Sequence, residues 1–388
     1  MQPYNRSPDL SVYAIIALDM KQLRVALAHD FFVDYGGAER VVETLHEMFP
    51  NAPVYTSFVH KKALGLHWDR FKNWDIRESW AAKIPFITKL YSPLRVLAAN
   101  FFSSFDLTDF DIVISSTNMY MAKAIRTRKP TIHLCYCHTP PRSLYGYSTM
   151  MSWKKNPIIR VAGELINHYM RIVDAETSKN PDIFIANSKE VQKRIQKFYR
   201  RDSVVIYPPI EIPSVPLTST KRDYFLYVGR LAASKHVELV IQACNEANKE
   251  LKVVGQGGNL EYLKTLGGST IHFEGGVSDE RLHQLYSEAK CVIYPAEDED
   301  FGMIAVEAMA HGTPVIVHRS GGFLESVMEN ETGVFFDEFT THSLVQAMTS
   351  VESIVWDPKT LYTHAKKFSK ERFKEQMLQL IQQSAVLK

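Results

Sequence analysis

The chain has 388 residues, which at about 150 residues per domain allows two domains of ordinary size. Its 45% hydrophobic and 23% charged content is that of a globular protein able to bury a sizeable core. Lys and Arg outnumber Asp and Glu only by 45 to 43, so bulk electrostatics give no argument for a nucleic-acid partner. Four cysteines without a Cys-x-x-Cys spacing make neither a disulfide scaffold nor a zinc site, and point to reduced thiols in the cytoplasm.

No apolar stretch reaches the ~18 residues needed to cross a bilayer. The run 12–18 is short, ends at Asp19 and is followed by no small-residue cleavage site. Residues 1–19 therefore read as an N-terminal extension. A strand is predicted over 23–29, then Gly36-Gly37, then a helix over 38–49 with Val41, Val42, Leu45, Met48 and Phe49 on one face. Further strands are predicted over 111–115, 131–137 and 183–186. Pro208, Pro209, Pro213 and Pro216 then fix an extended linker within 204–216. A second alternation follows, with strands over 224–228, 251–254, 271–273, 291–294 and 314–317. Helices over 237–247, 279–289 and 302–311 separate them, and an amphipathic helix over 369–383 closes the chain. This pattern predicts an α/β protein: two doubly wound, Rossmann-like domains facing a cleft, over 20–206 and 207–368, with a terminal helix over 369–388. Ligands of open α/β sheets sit beyond the carboxyl ends of strands, so the strand-to-helix loops are the candidate sites.

Five loops carry chemistry. Gly36 and Gly37 permit close backbone approach before a helix start, although a plain tight turn uses the same pair. Gly229-Arg230-Leu231 and Lys235 place two cations at a strand end, where a fork and a point charge suit a diphosphate; solvated surface cations are the alternative. Gly255-Gln256-Gly257-Gly258 lacks the third glycine of a dinucleotide fingerprint and reads as a tight turn near the ligand. The segment Glu297-Asp298-Glu299-Asp300-Phe301-Gly302-Met303 is an acidic loop opening a helix that carries Glu307 and stops at Gly312-Thr313-Pro314. Its helix start offers free N–H groups to phosphate or sugar oxygens, and its carboxylates can accept from sugar hydroxyls. The four acids match no metal-ligand spacing. His138, in Cys137-His138-Thr139-Pro140-Pro141-Arg142, sits where a strand meets a proline-braced loop. Between 67 and 97, Trp68, Trp74, Trp80, Phe86 and Tyr91 interleave with Arg70, Lys72, Lys83, Lys89 and Arg95. That mixture suits an anionic membrane interface or a lipid-phosphate acceptor, and equally a helical core face with solvated charges.

Taken together, Gly36-Gly37-Ala38-Glu39, His138-Thr139-Pro140, Val228-Gly229-Arg230-Leu231 with Lys235, and Glu299-x7-Glu307 before Gly312-Thr313-Pro314-Val315 resemble glycosyltransferase family 4. These are retaining, nucleotide-sugar-dependent enzymes of the GT-B fold, and the form Tyr136-Cys137-His138-Thr139-Pro140 is similar to mannosyltransferases of bacterial surface-polysaccharide assembly. The resemblance implies that Gly36 and Gly37 lie against the donor diphosphate, and that Arg230 and Lys235 neutralise it. Glu299 would bind the donor sugar, with backbone N–H groups from Phe301, Gly302 and Met303. Glu307 would hold the ribose, His138 would meet the sugar near its reacting carbon, and Val277 would line the base. Glu39 and Arg142 are candidates for acceptor contacts. The resemblance also implies a final helix crossing back to the first domain, no metal or other cofactor, and a glycan or polyprenyl-diphosphate-linked acceptor on the inner face of the plasma membrane. GDP-mannose is the first donor expected and a UDP-hexose the second. His236 stands where the family often has glycine. An epimerase of the same fold and a non-catalytic nucleotide-sugar-binding protein are the rival readings.

Overall fold

The computed structural model describes residues 23–147, 157–213 and 222–386. The expected extension over 1–19 and the linker stretch 214–216 lie outside the described residues. One sheet contains β1 (Val25–His29), β2 (Val54–Thr56), β3 (Ile76–Glu78), β4 (Ile112–Thr117), β5 (Ile132–Cys137), β6 (Ile183–Ala186) and β7 (Ser203–Val205). Their order is β3-β2-β1-β4-β5-β6-β7, and the pairs from β3 to β5 are parallel. The other contains β8 (Tyr224–Val228), β9 (Glu250–Val254), β10 (Ile271–Gly275), β11 (Cys291–Tyr294), β12 (Val315–His318) and β13 (Gly333–Phe336). Its order is β10-β9-β8-β11-β12-β13, parallel throughout.

The central strands β1, β4, β8 and β11 are buried along their whole length. A parallel sheet covered by helices on both faces requires this, and it explains why these strands read as continuous apolar runs. The three-residue strands β2 and β3 have no such run and were not anticipated. Val204 and Val205, expected in the linker, form β7 on the sheet edge.

In both sheets the strand order reverses beside the first strand, between β1 and β4 in one and between β8 and β11 in the other. The carboxyl ends at such a reversal open a crevice for ligand. At the first reversal, Asp30 locks the loop after β4. Its carboxylate accepts from the Thr117 hydroxyl at 3.2 Å and from the N–H groups of Asn118, Met119, Tyr120 and Ala122, each at 2.8 Å.

Contacts divide the chain into two compact units. One holds the residues up to Cys137, Ile172–Ile185 and the chain from Lys374; the other holds His138–Arg171 and Ala186–Phe373. The segments 138–171 and 186–206 thus group with residues 207–373, across the sequence boundary at 206. The terminal helix Lys370–Val386 joins the first unit from Lys374, whose ammonium meets Glu47 Oε2 at 2.8 Å. All four cysteines are buried. Among the described residues, no helix is long and apolar enough to cross a membrane.

Candidate functional site

The loops after β8 and β11 meet at the second reversal. Lys235, in a short 3-10 turn (Ala233–Lys235), extends its ammonium to Glu299 Oε2 at 2.7 Å and lies 5.1 Å from the centre of the Tyr294 ring. Burial pushes the Glu299 carboxyl up, but Lys235, Arg142 and Arg230 together outweigh that and hold it below its ordinary value of 4.5. One carboxylate therefore faces three cations, Arg230 and Lys235 from the loop after β8 and Arg142 from the loop after β5. Arg230 itself is exposed at the strand end, with its carbonyl accepting from the Tyr227 hydroxyl at 3.2 Å. Lys235 and Arg230 make a positive rim on which a multiply charged anion can seat. Glu299, already ionised, keeps further acceptor positions for hydroxyl groups.

Glycines hold this arrangement at the backbone level. A Cβ on Gly255 would stand 1.9 Å from the Gly229 carbonyl oxygen, and one on Gly257 would stand 2.3 Å from that of Leu231. The Gly-Gln-Gly sequence is thus a close packing of two loops, in keeping with the tight turn expected there. Its Gly255 N–H donates to Gly275, and Leu231 N–H donates to Gln256. Gly302 has φ +86° and precedes the helix Met303–Ala310, and a Cβ there would strike the Phe323 ring at 2.3 Å. Phe301 turns its ring into the core against Tyr207 and Phe368. What Phe301, Gly302 and Met303 can offer a ligand is therefore backbone at a helix start.

Glu307 lies on that helix, 8% exposed. Tyr286 donates its hydroxyl to Glu307 Oε2 at 3.1 Å, and His311, stacked on Tyr286, bonds the Glu307 carbonyl. Val277 follows β10 and packs its side chain against the core of its sheet. His236 has φ +47°, the left-handed backbone that favours glycine, and its ring packs on Phe339 at 4.6 Å.

His138 is buried at the end of β5. Arg142, four residues on, donates to the Asp298 carbonyl at 2.7 Å and pairs with Asp300 at 2.9 Å. This expected acceptor contact is engaged in holding the acidic loop. Glu39, the other one, is buried. One of its oxygens accepts from Gly36 N–H at 2.8 Å, while the other meets His29 Nε2 at 3.2 Å, and His29 Nδ1 meets Ser116 across the β1–β4 register. The Gly36-Gly37 turn is therefore a capped helix start in the first unit. A Cβ on Gly36 would find ordinary contact at 3.5 Å.

Three residues that hold the site escaped the sequence reading. Gly321 and Gly322 press on the acidic loop: a Cβ on either would approach its backbone to 2.4 Å, and Gly322 N–H donates to the Glu299 carbonyl at 2.8 Å. Arg194, on the helix Lys189–Tyr199, is buried against the same loop.

Both halves of the chain match known protein families. The family description "Glycosyltransferase Family 4" matches residues 35–212, and "Glycosyl transferases group 1" matches residues 209–371. An uncharacterized glycosyltransferase of Methanocaldococcus jannaschii is 31% identical over 157 residues, covering 38% of this chain and 40% of that protein. A GDP-mannose-dependent alpha-mannosyltransferase of Corynebacterium glutamicum is 32% identical over 111 residues, covering 29% of this chain and 27% of that one. The chain spans about half, or less, of the length of the curated relatives it first matches. Among solved structures, Anabaena HepE in complex with UDP and glucose is 17% identical with a TM-score of 0.65, covering 93% of this chain and 99% of that one. With two sheets of the GT-B fold class and adjoining family matches from residue 35 to residue 371, the chain belongs to glycosyltransferase family 4.

Proposed function

We propose that this chain transfers a hexose, with retention, from a nucleoside diphosphate sugar to a glycan or polyprenyl-diphosphate-linked glycan, and that GDP-mannose is the donor. The observation that carries the reading is the Lys235–Glu299 pair, with Arg230 and Arg142 around it, at the sheet's reversal point. Arg230 and Lys235 balance the charge of the departing diphosphate, so the reading needs no metal. Glu299 accepts from donor-sugar hydroxyls, and His138 stands at the reacting carbon. Glu307, oriented by Tyr286, takes the ribose. The acceptor hydroxyl attacks the anomeric carbon on the face that the diphosphate leaves: the new C–O bond forms as the old one breaks, and the proton passes to the leaving phosphate. The GDP-mannose-dependent relative supports the donor, and the UDP complex of HepE supports a nucleotide-sugar site in this fold.

The aromatic and basic stretch supports a membrane-presented acceptor. Part of it is structural: Trp74 stacks on His46, and Arg70 pairs with Glu43. Trp80, Phe86 and Leu90 remain 40%, 73% and 43% exposed, beside the exposed Lys83 and Lys89, and no Asp or Glu occurs from Ser79 to Phe105. Tyr91 of the helix Ile87–Leu94 packs on Phe31 and Phe58, setting this patch over the carboxyl ends of β1 and β2. An acid-free apolar and cationic face fits an anionic lipid surface. The chain should pellet with phosphatidylglycerol vesicles at low salt, and Phe86→Ser with Leu90→Ser should abolish this. Failure of the unaltered chain to pellet removes the membrane part of the reading.

Transfer itself is tested by incubating purified chain and isolated membranes with radiolabelled GDP-, UDP- and ADP-hexoses. Label from GDP-mannose should enter glycan or lipid-linked product, with NMR of that product showing the donor's anomeric configuration. Release of an epimerised free sugar, or donor binding without turnover, would contradict it in favour of an epimerase or a binding protein.

A further inference from the structure

The residues assigned to the donor lie on separate loops, and one buried guanidinium ties two of these loops together. Arg194 is 2% exposed. Its Nη1 donates to Thr139 Oγ1 at 3.2 Å and to Asp300 Oδ1 at 2.6 Å; its Nη2 donates to the Asp298 carbonyl at 3.2 Å, and its Nε to Glu190 Oε1 at 3.2 Å. The Tyr147 ring lies 4.3 Å from its central carbon. Thr139 directly follows His138, while Asp298 and Asp300 flank Glu299. Asp298 also holds φ +53°, a left-handed backbone that needs support from its surroundings.

We propose that Arg194 is a positioning residue, which fixes the His138 loop relative to the Glu299 loop and so sets the geometry of sugar transfer. The proposal rests on the functional reading above. A planar guanidinium suits this task because its fork presents several donors at fixed angles; a lysine ammonium does not. Arg142 shares Asp300 and the Asp298 carbonyl, but it also acts on the Glu299 charge, so its removal would mix two effects. Arg194 meets the neighbours of Glu299 and His138, and so its removal isolates placement.

The test uses the full chain with GDP and GDP-mannose as probes. Arg194→Met should lower kcat about 10²-fold, the scale of an ångström-level misplacement. GDP affinity by calorimetry should stay within about threefold, because Arg230 and Lys235 are untouched, and the fraction of donor lost to water should rise. Asp300→Asn removes the partner that Arg194 shares with Arg142, so it should also lower kcat, and the double variant should lose less than the product of the two single losses because both disturb the Arg194–Asp300 pair. Arg194→Lys, which keeps the charge, should recover part of kcat and serves as the folded comparison should the methionine variant fail to fold. Retention of kcat within about threefold in the Lys and Asn variants, or GDP affinity falling in step with kcat, overturns the proposal. Absence of any turnover by the unaltered chain overturns the functional reading and the proposal with it.

Discussion

Glu299→Ala will cut turnover by about 10² to 10³-fold, the range seen when one preorganised polar group is removed from a reacting centre. The expectation follows from the position of that carboxylate, which is the common target of Lys235, Arg142 and Arg230. In the proposed reading its loss removes an acceptor for the sugar hydroxyls, and it releases the Lys235 ammonium from its 2.7 Å partner, so the cationic rim loses its alignment as well. Glu299→Gln keeps the shape but leaves Lys235 facing a neutral amide, and should recover little. GDP should still bind to the Ala variant, since Arg230 and Lys235 remain. Acid should mimic the substitution. The carboxyl is held below 4.5, so the stabilisation from its ion pairs is complete above that value and disappears as pH falls through the lower, folded-state value. Near-normal rates for Glu299→Ala, measured with saturating donor, would remove Glu299 from the reaction.

The second large effect is on folding. Gly255→Ala would put a methyl group 1.9 Å from the Gly229 carbonyl oxygen, on a residue with φ +135°. Backbone cannot yield as a flexible side chain does. Overpacking of about 1–3 kcal/mol adds to backbone strain of about 1–3 kcal/mol. Total stabilities are only about 5–15 kcal/mol, so melting should fall by roughly 10 °C at about 2–4 °C per kcal/mol. Because the displaced loop carries Arg230, donor affinity should fall with it. Gly258→Ala is the control: a Cβ there meets nothing within 4 Å, and melting should hardly change. Equal melting temperatures for the two variants would show that the close approach of these loops is not a constraint.

The sequence made the strands and their loops legible where burial was continuous. The runs at 224–228 and 291–294 became β8 and β11, and the loops after them hold Arg230, Lys235 and Glu299 together. Arg194 was hidden among similar residues: in Lys193-Arg194-Ile195-Gln196-Lys197 it looks like one more solvated cation. Its only signal was spacing, three residues after Val191 and beside Ile195, on the stripe of the helix Lys189–Tyr199 that turns inward. Gly321 and Gly322 carry no local signal of their role, because the loop they press on lies more than twenty residues upstream. Glu39 and Arg142 looked available to an acceptor because sequence shows a charge but not its partners: His29 and Gly36 for one, Asp298 and Asp300 for the other.

The central claim is that the rim formed by Arg230 and Lys235 beside Glu299 receives an activated sugar. Titration calorimetry of the purified chain with GDP-mannose, UDP-glucose and ADP-glucose measures this without an acceptor. Saturable heat with GDP-mannose, lost in Arg230→Ala with Lys235→Ala, is the predicted result. No association with any of the three nucleotide sugars, from a folded sample, would contradict the account.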